Sequence, residues 1–259
     1  MTGKKFETLL YEVDGGLARL TLNRPHAMNG MTNQMVREAT EALRRAGSDP
    51  SVRVLVLTGA GTAFCPGADL KHFTQAGIDD SELAAEHFQV TALLHDIPVV
   101  TVAAINGACA GAGLGWALAC DLRLMSASAK LNTAFLDVAV AGDMGIPWSL
   151  PRLIGASRAK DLSFIPRKVD AAEALRIGLV ARVFADESFR GETEAALGTL
   201  LKKSPTALRG MKEHYVAAES MTFSEFVDFE AQRHLVIAAS ADTAEAFRAF
   251  VEKREPRFS

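Results

Sequence analysis

The sequence predicts an α/β fold, and three observations carry that reading. Residues 52–58 and 99–105 are near-continuous apolar runs, which suits strands buried on both faces. Each run leads through a Gly-rich turn into a segment with a helical or loop pattern, the rhythm of repeated strand–turn–helix units. From Glu187 onward the apolar period is helical alone. The chain therefore divides into an α/β core over residues 1–186 and a C-terminal helical region over residues 187–259.

In chain order, residues 8–13 and 17–22 read as strands, joined by an Asp14-Gly15-Gly16 hairpin turn. Asn23-Arg24-Pro25 breaks the pattern. Thr32 is placed as an N-cap, opening a helix through Ala46 with Met35, Val36, Ala39 and Leu43 on one stripe. Gly59-Ala60-Gly61 ends the strand over 52–58, and a loop carries Phe64 to Leu70. A helix is expected over about 80–95, and Pro98 precedes the strand over 99–105. A Gly-rich turn, an apolar helix and a strand over 122–126 follow. Asp170 with Glu173 resembles a capping box for a short helix to Ile177, which Gly178 ends. A strand over 180–184 comes next. In the C-terminal region Phe223, Phe226, Val227 and Glu230 share one turn-spaced face and its edge.

Composition excludes several functions. A net charge of −3 supplies no basic field for nucleic acid. Cys65, Cys109 and Cys120 form no CxxC, and their odd number argues against a disulfide framework and for a reduced, cytoplasmic setting. The histidines show no helical metal-site spacing, so no metal is expected. Residues 1–11 contain no apolar segment of the signal-peptide kind. Residues 97–120 are long enough to span a membrane. Asn106 and the glycines that interrupt them favour a buried strand, a tight turn and a buried helix instead.

The Gly-rich turn, Asn106-Gly107-Ala108-Cys109-Ala110-Gly111-Ala112-Gly113, has the layout that leaves backbone N–H groups free at a helix N-terminus. Such amides bind phosphate or stabilise an oxyanion. A dinucleotide fingerprint needs GxGxxG, and Trp116 stands where its third glycine belongs. Small residues here also serve tight packing alone, so the turn by itself decides nothing. A second loop, Phe64-Cys65-Pro66-Gly67-Ala68-Asp69-Leu70, also follows a buried strand. Two such loops can each direct one amide at a single carbonyl oxygen.

Taken together, Asn23-Arg24-Pro25 with Ala27-Met28-Asn29, Phe64 with Gly67-Ala68-Asp69-Leu70, Ala103-Ala104-Ile105-Asn106-Gly107 with Gly111-Ala112-Gly113, and Cys120-Asp121-Leu122 resemble the crotonase (enoyl-CoA hydratase/isomerase) superfamily in order and spacing. Leu150-Pro151-Arg152-Leu153-Ile154-Gly155, then Ala172-Glu173-Ala174 and Gly178-Leu179-Val180, extend the likeness over nearly the whole chain. The resemblance implies a crotonase-type spiral of ββα turns with a C-terminal helical trimerisation region, assembled as a trimer or a dimer of trimers. It implies an acyl-CoA substrate, with coenzyme A as part of that substrate and no separate cofactor. It implies oxyanion-hole amides at Ala68 and Ala112. It places CoA contacts at Arg24, Ala27, Ala68, Asp69 and Leu70. Gly111 and Gly113 of the turn, and Phe135 and Trp148 near Asp143 in the chain, are the further candidates for substrate contact.

The sequence departs from that family's hydratases at both catalytic glutamates, whose positions hold Gly115 and Phe135. Syn addition of water needs one group to orient the nucleophile and one to deliver a proton. Asp143 is the available carboxylate. Its position is similar to that of the catalytic aspartate in dienoyl-CoA and 1,2-epoxyphenylacetyl-CoA isomerases. The 4-chlorobenzoyl-CoA dehalogenases share it, but their extra histidine would fall near Ala92. One carboxylate suffices for a 1,3-proton shift, and Met144, Ile146, Trp148 and Phe135 are expected to raise its pKa.

Asp137 is the rival acid. Asp69 and Asp121 read as capping residues and Glu173 as a helix cap. His72, His87, His95 and His234 read as surface or satisfied histidines. Lys253, Arg254 and Arg257 suit CoA phosphates or a solvated tail equally. Double-bond isomerisation with Asp143 as acid/base leads. Its alternatives are a hydratase with an unusual site and a non-catalytic acyl-CoA-binding protein, with a dinucleotide oxidoreductase disfavoured by Trp116.

Overall fold

The computed structural model describes residues 6–76 and 85–258. Strands β1 (Leu9–Asp14) and β2 (Leu17–Leu22) form the expected hairpin. Gly15 and Gly16 turn it at φ +55° and +87°, a region open chiefly to glycine. Helix α1 (Asn33–Ser48) opens on Thr32, whose hydroxyl accepts the Met35 N–H. Its Met35, Val36, Ala39 and Leu43 are buried as the stripe predicts. Then come β3 (Val54–Gly59), β4 (Ala63–Cys65) and α2 (Leu70–Ala76). Of the helix expected over about 80–95, residues 80–84 lie outside the described residues. The remainder is a 3₁₀ turn, Ala85–Phe88, and α3 (Gln89–Asp96).

Next are β5 (Val100–Ile105), β6 (Ala108–Ala110), α4 (Gly111–Ala119), β7 (Leu122–Ser126) and β8 (Lys130–Asn132). Helices α5 (Ile146–Ile154) and α6 (Ala156–Phe164) lead to β9 (Val169–Asp170), α7 (Ala171–Arg176) and β10 (Arg182–Phe184). Four helices close the chain: α8 (Phe189–Leu201), α9 (Pro205–Ala218), α10 (Phe223–Ala238) and α11 (Ala241–Val251).

Six strands make one sheet in the order β1-β2-β3-β5-β7-β10, and every pair after the hairpin is parallel. A second sheet runs β4-β6-β8-β9. Both β4 and β6 lie where the sequence suggested loop and turn. Three successive spiral turns each lay a longer strand (β3, β5, β7) in the first sheet and a three-residue strand (β4, β6, β8) in the second. Runs that short carry no readable alternation. The crossing is close: a Cβ on Gly107 would lie 2.0 Å from the Thr62 carbonyl oxygen. Asn106 fastens it, with Nδ2 donating to the Gly59 and Gly61 carbonyls at 2.9 and 3.0 Å.

The apolar runs are explained by burial on both faces. In β3, Leu55 and Leu57 join the main core with α1 and α4, while Val54 and Val56 face a second cluster covered by Leu197 of α8. One sequence expectation needs correction. Asp170 does cap α7 through the Glu173 N–H, but the Glu173 carboxylate pairs with Arg167, so the reciprocal half of the box is missing. Phe223, Phe226, Val227 and Glu230 all lie on α10 as expected; no residue of α10 is buried within the chain, and Phe223 is 83% exposed. The true box is Thr222 with Glu225, opening α10.

Candidate active site

The chain passes from Gly67 to Asp69 alongside Met31, through a parallel bridge between Met31 and Ala68. The Met31 N–H donates to Gly67 O, and the Asp69 N–H to Met31 O, at 2.8 and 2.9 Å. Successive amides of extended backbone point to opposite sides, so the Ala68 N–H faces away from Met31. Ala112 is the second residue of α4 and has no helical carbonyl four residues behind it. The two loops touch: a Cβ on Gly67 would lie 3.5 Å from the Ala112 nitrogen. Gly113 makes that approach possible, because a Cβ there would lie 2.2 Å from the Cys65 carbonyl oxygen. Gly111, at φ +49°, starts the helix in a conformation that favours glycine. The loop that carries Ala68 thus packs against the positive, N-terminal end of α4.

Arg24 and Asp69 support the first of these loops. The guanidinium meets Asp69 Oδ2 at 2.9 Å and also donates to the Gly30 carbonyl. Burial works against the Asp69 charge, yet the His72 amide and Arg24 together hold its pKa below the usual value. Asp69 Oδ1 accepts the His72 N–H, so the capping expectation is met as well. Ala27 and the exposed Leu70 flank the loop. Asn29, quoted in the sequence only as part of a motif, is fully buried. Its Nδ2 donates to Ala60 O and Ala63 O, pinning this corner to the end of β3. A left-handed Asn beside a Gly was the available signal, with Asn29 at φ +63°.

Asp143 lies near the same loops. It is half-buried, its Oδ1 is fully buried with no hydrogen-bond partner, and burial raises its pKa to about 6. Its charge also bears on Cys65, whose thiol burial pushes up to about 12. Phe135 stands between the two parts of the site. Its ring is 3.8 Å from a Cβ built on Gly111 and 4.0 Å from one built on Gly142. Phe135, Gly142, Ile146, Pro147 and Leu150 line a 290 Å³ cleft. Asp137, the rival acid, is exposed on a 3₁₀ turn. Gly115 carries no side chain and has no room for one, because Met144 packs against it.

Trp148 is not brought to this group. It lies on the other face of α5, edge-on to His95 at 5.6 Å and under the Arg152 guanidinium at 3.7 Å. Asp121 accepts from the Thr101 N–H and from buried Lys212 at 2.7 and 2.9 Å. His95 pairs with Glu219, and Arg254 with Glu245 and Glu252. Trp116 is fully buried against the core, which leaves no close glycine approach for a dinucleotide. Among the described residues no cluster suits a metal ion, and no helix is long and apolar enough to cross a membrane.

A two-sheet ββα spiral with a strand-end loop packed against the start of a buried helix is the architecture of crotonase-type enzymes. The chain belongs to the enoyl-CoA hydratase/isomerase family, whose model matches residues 12–259. It is 35% identical over 255 residues to a Rhodobacter capsulatus protein named "Probable enoyl-CoA hydratase", and 33% identical over 259 residues to the 1,2-epoxyphenylacetyl-CoA isomerase of Escherichia coli. Each alignment covers 98% of both chains. The crystal structure of an enoyl-CoA hydratase from Bacillus anthracis superposes with a TM-score of 0.92 at 29% identity, covering 97% of this chain and 99% of that one.

Proposed function

We propose that this enzyme moves the double bond of an enoyl-CoA thioester, with Asp143 as its single acid/base. The thioester carbonyl accepts hydrogen bonds from the Ala68 and Ala112 amides, which strengthen as negative charge develops on the oxygen. The Asp143 carboxylate removes a proton from C2 of a 3-enoyl thioester, leaving a dienolate whose charge rests on that oxygen. The neutral Asp143 then returns the proton at C4, the thioester carbonyl re-forms, and a 2-enoyl thioester leaves. Neither electrons nor a further reactant enter, so no separate cofactor or metal is called for.

The observation that carries this reading is the unpartnered, buried Asp143 Oδ1 with its pKa raised to about 6. A carboxylate in that state is ionised at neutral pH and poorly solvated, which suits a general base. Gly115 and Phe135 offer no second carboxylate for hydration. The Escherichia coli relative is named an isomerase of an acyl-CoA thioester, which agrees with isomerase rather than hydratase chemistry. Arg24, Ala27, Asp69 and Leu70 surround Ala68 and would face the CoA portion, while Gly111, Gly113 and Phe135 flank the acyl group.

Residues 187–259 are the assembly region in this reading, for a trimer or a dimer of trimers. Phe223, Leu235, Phe247 and Phe250 are each more than two-thirds exposed in the single chain, and subunit contact would cover them. A cytoplasmic setting agrees with three free, buried thiols.

The test is conversion of a 3-enoyl-CoA in deuterated water by wild type and Asp143→Asn. The substitution keeps shape and CoA binding but loses about 10²- to 10⁴-fold in rate. Undiminished activity in Asp143→Asn refutes the mechanism and turns attention to Asp137. Binding without turnover in both proteins, across several acyl groups, supports a binding-only role.

A further inference from the structure

The 290 Å³ cleft lined by Phe135 and Gly142 continues past them to α6, and the proposed chemistry gives that far part no task. The cleft starts at the catalytic loops. The Phe135 ring turns one edge to Gly111, where Cε1 is 3.8 Å from a built Cβ, and the opposite edge to Gly142, where Cδ2 is 4.0 Å from one. Gly111 immediately precedes Ala112, and Gly142 immediately precedes Asp143. One half-buried ring therefore borders the oxyanion loop, the acid/base loop and the cleft.

Helix α5 walls the cleft with Ile146 and Leu150, one turn apart, and α6 faces it with Ala156, Ala159, Lys160 and Ser163. Those α6 positions have the spacing of a single helical face. Alanine at the first two leaves the space open. Lys160 and Ser163 are the polar side chains of the lining, which contains no carboxylate. Among the described residues the Lys160 ammonium forms no ion pair and the Ser163 hydroxyl no hydrogen bond. An unpaired cation with a hydroxyl beside it, at the end of an apolar cleft, suits a carboxylate carried on an apolar stem.

We propose that the acyl group crosses Phe135 into this cleft and that Lys160, with Ser163 beside it, receives a carboxylate at the far end of the chain. The substrate class is then an ω-carboxyacyl thioester. This rests on the reading that the Ala68 and Ala112 amides hold the thioester carbonyl. C2 to C4 lie at the Asp143 end of the cleft, the methylenes beyond them lie against Ile146 and Leu150, and the terminal carboxylate reaches α6.

The test is calorimetric binding of matched saturated thioesters, hexanedioyl-CoA against hexanoyl-CoA and octanedioyl-CoA against octanoyl-CoA, which needs no turnover. In at least one pair the wild type should prefer the carboxylate-bearing thioester by about two- to fivefold, the range of an ion pair to an exposed lysine. High salt should erase that preference. Lys160→Met keeps the apolar stem and should abolish the preference without changing the affinity for hexanoyl-CoA or octanoyl-CoA. Ala156→Trp fills the cleft from an exposed position and should weaken all four. Equal affinities within both pairs in the wild type overturn the carboxylate assignment and leave the thioester site standing. Equal weakening of all four by Lys160→Met assigns the ammonium to the CoA phosphates and also overturns it. Unchanged binding by Ala156→Trp puts the acyl group outside the cleft and does the same. Binding of no thioester to the folded wild type refutes the thioester site and this inference with it.

Discussion

Met144 stands directly on Gly115: a Cβ added to the glycine would lie 2.5 Å from the Met144 Cβ and 2.8 Å from its carbonyl oxygen. The loop that delivers Asp143 therefore fills the volume that a glutamate at position 115 would need. Presence of the aspartate and absence of the glutamate are one structural choice. Restoring the glutamate then requires moving the aspartate.

From this it follows that Gly115→Glu does not create a hydratase. The side chain must displace the Met144 backbone, and its carboxylate meets no partner there. Overpacking and burial of an unpaired polar group together cost at least about 3 kcal/mol. Chemical denaturation should show that loss, with no gain in hydration of a 2-enoyl-CoA. A stable variant with hydratase activity contradicts the packing argument.

The pH dependence of Asp143 has two readouts. Burial raises its folded pKa to about 6 from the ordinary aspartate value of 3.8. Between those values the folded protein holds a proton that the unfolded chain has lost, so stability falls as pH rises through this window and is level above it. Asp143→Asn removes the cost of the buried charge. It should melt above wild type at pH 8, with the difference shrinking toward pH 4, while isomerisation by the wild type rises with pH to a plateau above about 6. A melting difference that grows toward acid reverses the sign and excludes desolvation as the cause.

Gly113 tests the amide pair without touching either donor. The methyl of Gly113→Ala would lie 2.2 Å from the Cys65 carbonyl oxygen and 2.8 Å from its Sγ, and both belong to backbone or fully buried groups. Helix α4 must therefore back away from the 64–70 loop, which separates the Ala68 and Ala112 amides. Loss of one oxyanion donor costs about 10²- to 10³-fold in turnover. A folded Gly113→Ala protein with wild-type turnover would show that the two amides do not act together.

How much of this the sequence revealed follows from the length of each signal. Residues 17–22 and 122–126 were legible as strands because five or six residues suffice to show an apolar pattern, and Thr32 was legible as a cap because its side chain acts locally. The second sheet was not legible, since Ala63–Cys65 and Ala108–Ala110 pair only through contacts distant in the chain. Ala68, Ala112 and Asp143 came from motif order, and their closeness depends on Gly67 packing against α4. Trp148 was placed beside the acyl group from its nearness to Asp143 in sequence. Helical geometry instead sends residue 148 to the face of α5 opposite Pro147 and Leu150. Asn29 and Lys212 escaped notice because a buried polar group announces itself only through its partners.

The Arg24–Asp69 pair separates two roles that the family resemblance merges. Their side chains are only 15% and 11% exposed, and their contact at 2.9 Å lies one residue from Ala68. If Arg24 only meets the CoA portion, Arg24→Met should raise KM and leave kcat alone, since uniform binding is lost. The geometry argues otherwise, because the guanidinium also holds the Gly30 carbonyl and faces Asp69, whose own N–H is fixed on Met31. Releasing this anchor lets the Ala68 amide drift, and a misplacement of about 1 Å costs about 10²-fold in rate. Arg24→Met should therefore lower kcat by about that factor, and Asp69→Asn should lower it comparably. The double variant should be little worse than either alone, because both remove the same support. Additive losses, or a loss confined to KM, would assign Arg24 to the ligand rather than to the loop.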